Sequence, residues 1–227
     1  MKIPLKNIPA IAVVFTDKDV YTAKKEEILE ADLIELRVDL FEDIENIEDT
    51  FKLAKVKFNL PILATIRILS EGGKREFSER EDFFRKVLPY SDFVDLEIFS
   101  KDVTSIKRAI REYGKIMIAS YHRFDLTPSL EELEAIFTEG KTLESDIIKI
   151  ATMVNDPLDL EVLLLFTLKH RKDNIIVIGM GEKGIPSRII NPIFGSLITY
   201  ASFIDSSAPG QIPLRELIKI FKVLKIR

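Results

Sequence analysis

Eight short runs of apolar and β-branched residues recur along the chain, and each is followed by a longer segment whose apolar positions fall three and four apart. The runs cover 11–15, 33–39, 61–67, 93–98, 115–122, 147–153, 175–180 and 197–204. Successive runs begin 22 to 32 residues apart, room for a helix and two loops, which is what a parallel strand pair needs for its crossover. Helices are expected over 21–30, 48–57, 78–88, 101–113, 129–140, 157–172 and 213–225, with a short one in 187–195. Their Lys, Glu and Arg read as solvated outer faces. Eight parallel strands can form an open doubly wound sheet, but no Gly-x-Gly-x-x-Gly turn follows the first run and no phosphate loop follows any. The expected fold is therefore α/β, a (β/α)8 TIM barrel formed as a single domain over residues 1–227, a little under the roughly 250 residues usual for that architecture.

Composition narrows the function. Lys and Arg number 33 against 37 Asp and Glu, so the net charge of −4 supplies no general field for a nucleic-acid backbone, and no nucleic-acid partner is expected. The absence of cysteine removes disulfides, thiolate nucleophiles and thiolate metal sites. No stretch approaches the roughly 18 to 20 apolar residues that span a bilayer, and the start of the chain lacks a signal-peptide core, so a cytoplasmic protein without a membrane partner is expected.

In such a barrel the chemistry gathers where the strands end, on side chains that alternate between the interior and the helices. The second run ends Glu35-Leu36-Arg37-Val38-Asp39, with three charges on one face and Leu36 and Val38 on the other. If that face is interior the charges must be paired, because an unpaired buried ion is prohibitive. Arg67 closes the third run and Glu71-Gly72-Gly73 follows, a cation beside a flexible turn that suits an anionic ligand. The fifth run places Ser120 and His122 on one face, and imidazole is the side chain that exchanges protons near neutrality. The other histidine, His170, sits among cations at a helix C-terminus, where the helix dipole accounts for it.

The sixth run, Ile147-Ile148-Lys149-Ile150-Ala151-Thr152-Met153, sets a lysine within an apolar strand on the same face as Ile147 and Ala151. That lysine either snorkels to the rim or acts as an amine nucleophile, whose free form burial and the nearby cations Arg37 and Arg67 are expected to favour. After the seventh run come Met180 and, across a glycine turn, Ser187-Arg188; after the eighth comes 205–211, whose small residues, Pro209 and Gly210 resemble a mobile lid. Arg188 can grip a carboxylate or phosphate with two parallel bonds.

Together, Glu35-Leu36-Arg37-Val38-Asp39, Arg67 with Glu71-Gly72-Gly73, Ser120-Tyr121-His122, Lys149, Ser187-Arg188 and Pro209-Gly210-Gln211 resemble, in order and through nearly the whole chain, the motif set of the type I 3-dehydroquinate dehydratases. The resemblance implies a hydro-lyase of the shikimate pathway to aromatic amino acids. It would convert 3-dehydroquinate to 3-dehydroshikimate through a lysine Schiff base, with no metal or organic cofactor, as a homodimer. It further implies Lys149 as the imine-forming nucleophile and His122 as general acid and base with Glu71 beside it. Glu35, Arg37 and Arg67 would hold ring hydroxyls and shape the surroundings of the lysine, and Met180 would pack on the ring. Arg188 would take the substrate carboxylate, helped by Ser207 and Gln211. Two positions depart from the pattern: 12–15 lacks the serine expected near its end, and Tyr200 stands where phenylalanine is usual. Both are expected to lie at the periphery of the site.

Three other readings remain open on the residues alone. A Schiff-base aldolase also uses a lysine on the sixth strand, although a glycine-rich phosphate cup after strands seven and eight is absent here. A catalytically silent ligand-binding barrel would keep the fold without the lysine, histidine and arginines found together. A metal-dependent hydrolase is disfavoured by two histidines so far apart in the chain.

Overall fold

The computed structural model describes residues 3, 5–204 and 207–226. Strands β1 (Ala10–Phe15), β2 (Leu33–Arg37), β3 (Ile62–Thr65), β4 (Phe93–Glu97), β5 (Ile116–Arg123), β6 (Ile147–Met153), β7 (Ile175–Met180) and β8 (Ile198–Ser202) alternate with helices α1 (Asp17–Thr22), α2 (Ile47–Phe58), α3 (Arg80–Val87), α4 (Val103–Glu112), α5 (Leu130–Thr142), α6 (Pro157–Lys169) and α7 (Ser187–Ile193). A two-residue strand β9 (Ile212–Pro213) and helix α8 (Leu214–Val223) follow. Every ladder is parallel, from β7 through β6, β5, β4, β3, β2 and β1 to β8.

The barrel closes between β7 and β8 by a single parallel bridge, Ile175 with Ser196, in which Leu197 N–H donates to the Ile175 carbonyl at 2.8 Å. Beyond that bridge, side chains take the place of a ladder along β7. Ser196 Oγ accepts from Val177 N at 3.0 Å, Asn191 Nδ2 donates to the Val177 carbonyl at 3.2 Å, and Ser187 Oγ accepts from Gly179 N at 2.7 Å. Buried backbone groups need partners, and these three residues supply them at the seam.

Two apolar bodies lie on opposite sides of the strands. Leu36, Val38, Ile150 and Val177 face the helices, while Leu63, Ile118, Ile147 and Ala151 fill the interior. The period of two along each strand dictates this division. At one level of β2, β4, β6 and β8 a polar residue from each strand points inward: Glu35, Asp95, Lys149 and Tyr200. Two positions earlier on the same strands stand Leu33, Phe93, Ile147 and Ile198, all fully buried or nearly so. Four side chains from alternate strands make one layer of such a barrel. Here an apolar layer forms the floor beneath a polar one.

Capping explains several helix boundaries. Ser129 and Glu132 form a capping box at the start of α5, and Asp156 caps α6 ahead of Pro157. The helix expected over 21–30 is instead α1 followed by a 3-10 turn (Lys25–Ile28), because a Thr16–Asp19 capping box starts the helix earlier and Ala23 is extended. The runs expected over 33–39 and 61–67 are shorter as strands, and Val38–Leu40 forms a 3-10 turn. Helix α6 departs from the expected solvated outer face: Leu158 and Leu165 are exposed on it, and it packs against α7, where Ile190 and Ile193 are exposed too. No helix of the described residues is long and apolar enough to cross a membrane.

Candidate active site

A cavity of about 260 Å³ opens where the strands end, and its lining brings together the ten residues expected to be catalytic or to hold the substrate: Glu35, Arg37, Arg67, Glu71, His122, Lys149, Met180, Arg188, Ser207 and Gln211. Lys149, at the middle of β6, reaches its floor. Its Nζ donates to Asp95 Oδ2 at 2.8 Å and lies 4.4 Å from the centre of the Tyr200 ring. The expectation of an amine surrounded by cations is thereby corrected. A carboxylate stands between the lysine and Arg67, whose Nη2 lies 2.8 Å from Asp95 Oδ1.

Asp95 and Glu97 of β4 are the functional residues that the sequence reading missed. The signal was present, since Phe93-Val94-Asp95-Leu96-Glu97 alternates in the same way as Glu35-Leu36-Arg37. Burial pushes the Asp95 carboxyl up, but the Arg67 and Lys149 cations overcome it and hold the group well below the usual carboxylate range. Arg67, just past the end of β3, also bonds Glu97 Oε1 at 3.0 Å and Ser120 Oγ at 2.8 Å, and Ser120 donates to Asp95 Oδ1 at 2.5 Å. Burial would lower the Arg67 guanidinium, yet Asp95 and Glu97 together keep it firmly protonated. Both terminal nitrogens of Arg67 are thus engaged by protein side chains.

The charges of β2 are paired in an unexpected way. Arg37 forms a two-bond fork with Asp39, at 2.9 and 2.8 Å, rather than with Glu35. Glu35 instead accepts from Thr65 Oγ1 at 2.8 Å. Because the strand ends at Arg37, Asp39 belongs to the following 3-10 turn and folds back on its neighbour.

At the end of β5 the His122 ring sits with Nδ1 3.0 Å from Glu71 Oε2, and the same oxygen accepts from the His122 backbone N–H at 2.9 Å. Burial holds the imidazole well below its ordinary 6.5, and the cations Arg67 and Lys149 add to the effect. Burial pushes the Glu71 carboxyl up to about 8 against the pull of Arg67. Around neutrality the pair therefore holds an exchangeable proton on a single short contact. His170 lies elsewhere, packed at a tilt against Phe137 and Phe166 and bonded to Glu134 and Asp173, partners that the helix-dipole reading did not foresee.

Arg188 is the one arginine of the cavity with no acidic partner among the described residues. Its Nη2 donates to the Pro209 carbonyl at 3.1 Å and its buried Nε has no partner. Burial alone lowers this guanidinium to about 10. A buried guanidinium with no carboxylate beside it among the described residues can accept an anion from outside. Ser207 and Gln211 are hydrogen-bonded to each other beside it, with Ser207 N–H donating to Gln211 Oε1 at 2.8 Å. Their loop is tied to the end of β7 by Gly181 N–H donating to the Pro209 carbonyl at 3.2 Å. Gly210, at φ +74°, lies so close to the Gly181 carbonyl that a side chain there would collide with it. Asp205 and Ser206 of the expected lid lie outside the described residues. Met180 is buried in the wall, and Phe124, packed on Gly72 at φ +86°, forms the rim.

Tyr200 corrects a further expectation. It is a cavity residue in contact with Lys149, not a peripheral one, and its hydroxyl is buried without a partner among the described residues. Burial raises this phenol well above its usual value, and the nearby carboxylates Glu35 and Asp95 reinforce the effect.

Known proteins resemble this chain in sequence and in fold. A model of the type I 3-dehydroquinase family matches residues 10–227. A 3-dehydroquinate dehydratase from Thermodesulfovibrio yellowstonii is 57% identical over 223 residues, covering 98% of this chain and 99% of that one. Among solved structures, the 3-dehydroquinate dehydratase from Geobacillus kaustophilus superposes with a TM-score of 0.88 at 29% identity, covering 99% of this chain and 96% of that one. The type I enzyme from Clostridium difficile, solved with covalent modified comenic acid, superposes with a TM-score of 0.87 at 30% identity, covering 99% and 97%.

Proposed function

Because the chain belongs to the type I 3-dehydroquinase family, a family of hydro-lyases, we propose that it converts 3-dehydroquinate to 3-dehydroshikimate and water through an imine on Lys149. The observation that carries this reading is the meeting, in one cavity closed below by apolar side chains, of a buried lysine, a proton-exchanging His122–Glu71 pair and an arginine without an acidic partner among the described residues.

Arg188 takes the substrate carboxylate, with Ser207 and Gln211 beside it, and so fixes the ring over Lys149. The Lys149 ammonium passes one proton to His122 and the freed amine attacks the ketone; the carbinolamine hydroxyl then leaves as water with that proton, and the nitrogen lone pair forms the iminium cation. Asp95 lies 2.8 Å from the nitrogen that bears this charge, and an ionised carboxylate in a place shielded from water stabilises it strongly. The iminium makes the neighbouring C–H acidic. His122 removes that proton when Nδ1–H donates to ionised Glu71 and Nε2 is free; the C–H electrons form the new double bond, and the hydroxyl on the adjacent carbon leaves with the proton that His122 returns. Water then hydrolyses the imine, releasing product and the amine. Glu35 and Arg37, the latter held by Asp39, border the ring hydroxyls, and Met180 packs against the ring. The exposed apolar faces of α6 and α7 favour a second copy of the chain as their cover, which gives a homodimer.

Borohydride added with 3-dehydroquinate is expected to leave one stable adduct, mapped to Lys149, and the enone absorbance of the product is expected to rise without added metal. An adduct on any other lysine, or none, overturns the imine assignment.

A further inference from the structure

Lys149 is the inner end of a row of six charges that alternate in sign and leave the barrel between α3 and α4. Its Nζ bonds Asp95 Oδ2 at 2.8 Å; Asp95 Oδ1 lies 2.8 Å from Arg67 Nη2; Arg67 Nη1 lies 3.0 Å from Glu97 Oε1; and Glu97 Oε2 lies 2.6 Å from Arg80 Nη1. Arg80, buried on the first turn of α3, also holds Asp102 in a two-bond fork at 2.9 and 2.6 Å and donates to the Ile66 carbonyl at 3.0 Å. Asp102 precedes α4 and is partly open to solvent.

The bond pattern assigns each oxygen. Glu97 Oε1 is used by Arg67 and by the Ile68 N–H, and its Oε2 accepts from Arg80. Without the Arg80 cation, Glu97 would be a buried carboxylate with one cation to share. The nearest compensation would be a rotation of Arg67 toward it and away from Asp95. Buried ion pairs are held as a unit, and removing one member leaves its partner uncompensated. Ser120 Oγ, which accepts from Arg67 and donates to Asp95, would be displaced by the same rotation.

We propose that Arg80 is a positioning residue for Lys149: by satisfying Glu97 Oε2 it holds Arg67 on Asp95 Oδ1, and so keeps Asp95 Oδ2 aimed at the lysine nitrogen. Arg80 touches neither substrate nor the reacting atoms and acts through Glu97, Arg67 and Asp95. The proposal rests on the imine reading above.

The test compares Arg80→Lys, Arg80→Met, Glu97→Gln and the double variant Arg80→Met/Glu97→Gln for kcat, KM, Tm and the rate of borohydride trapping on Lys149. Arg80→Met is expected to lower kcat and the trapping rate roughly tenfold while KM changes by less than about twofold, because the defect lies at the lysine and not in ground-state binding. Arg80→Lys keeps a cation beside Glu97 and loses the fork to Asp102; it is expected to fall in Tm yet stay within about threefold of the unaltered enzyme in trapping rate. Adding Glu97→Gln to Arg80→Met removes the orphaned carboxylate and is expected to recover at least about threefold of the loss, a non-additivity that marks coupled neighbours. The proposal is overturned if folded Arg80→Lys is as slow as Arg80→Met, if the two single losses multiply in the double variant, or if Arg80→Met lowers Tm and leaves trapping unchanged. No adduct on Lys149 in the unaltered enzyme would instead sink the imine reading, and this proposal with it.

Discussion

Lys149 Nζ donates to Asp95 Oδ2 at 2.8 Å deep in the barrel, where both side chains are almost shut off from solvent. Neither charge would be tolerable there alone, and Arg67, Glu97 and Arg80 extend the pairing outward. The arrangement gives the lysine nitrogen a fixed anionic neighbour in a medium where Coulomb energies are only weakly screened.

Asp95→Asn keeps the shape and removes that charge. A loss of about 3 to 5 kcal/mol in unfolding free energy is expected, the usual result of leaving buried cations unmatched, together with a fall in kcat on the order of 100-fold from loss of the iminium's counter-ion. Chemical denaturation and steady-state rates read the two effects. Since the folded carboxyl lies below its ordinary 3.8, the stabilisation is full above that value and drains away as the solution is acidified past it. An asparagine variant as stable as the unaltered protein would contradict the account of the buried pair.

Glu71 yields a prediction of opposite sign. Its carboxyl is raised from 4.5 to about 8 on folding, so the folded state binds the extra proton, and stability should decline as pH rises from about 4.5 to 8, by at most about 1.4 kcal/mol per pH unit. Glu71→Gln should flatten the decline. Because the base form of His122 needs ionised Glu71 on Nδ1, kcat/KM should climb toward a limb near 8 that the glutamine variant loses, with activity about 10- to 100-fold lower. Unchanged profiles of Tm and kcat/KM against pH would show that the pair does not share its proton as described.

Arg188→Met should separate binding from folding. The guanidinium is buried without an acidic partner among the described residues, so its removal should leave Tm unchanged or raise it. A hydrogen-bonded charge to the substrate is worth about 1.5 to 3 kcal/mol, which predicts a KM roughly 10- to 150-fold higher. Calorimetric titration with the product carboxylate and a thermal melt measure both. An intact KM would place the carboxylate elsewhere.

Tyr200→Phe retains the ring that faces Lys149 and deletes a hydroxyl with no partner. Leaving a buried polar group unmatched costs about 1 to 3 kcal/mol, so the variant should gain up to that amount in stability. Tyr200→Leu, which removes the ring face from the lysine, should lower kcat more than the phenylalanine variant does. If Tyr200→Phe is the less stable protein, the hydroxyl has a role in the resting fold.

Alternation along the chain determined most of what was legible without coordinates. The pleat of a strand is a local property, so a period of two in Glu35-Leu36-Arg37 or around Lys149 already says which side chains share a face, and the 22- to 32-residue spacing already implies parallel crossovers. The ten residues expected in the site did converge on one cavity for this reason. Partnership was decided only by the tertiary structure. Barrel closure brings β4 under Lys149 and sets Arg67 between Asp95 and Glu97 some thirty positions away, because these ion pairs form between groups that are near in space and carry no period along the sequence. The same closure drew Tyr200 inward against the lysine amine and left Arg188 without a carboxylate partner among the described residues. Sequence could place a charge on a face; the enclosed, weakly screening interior decided which charge answers it.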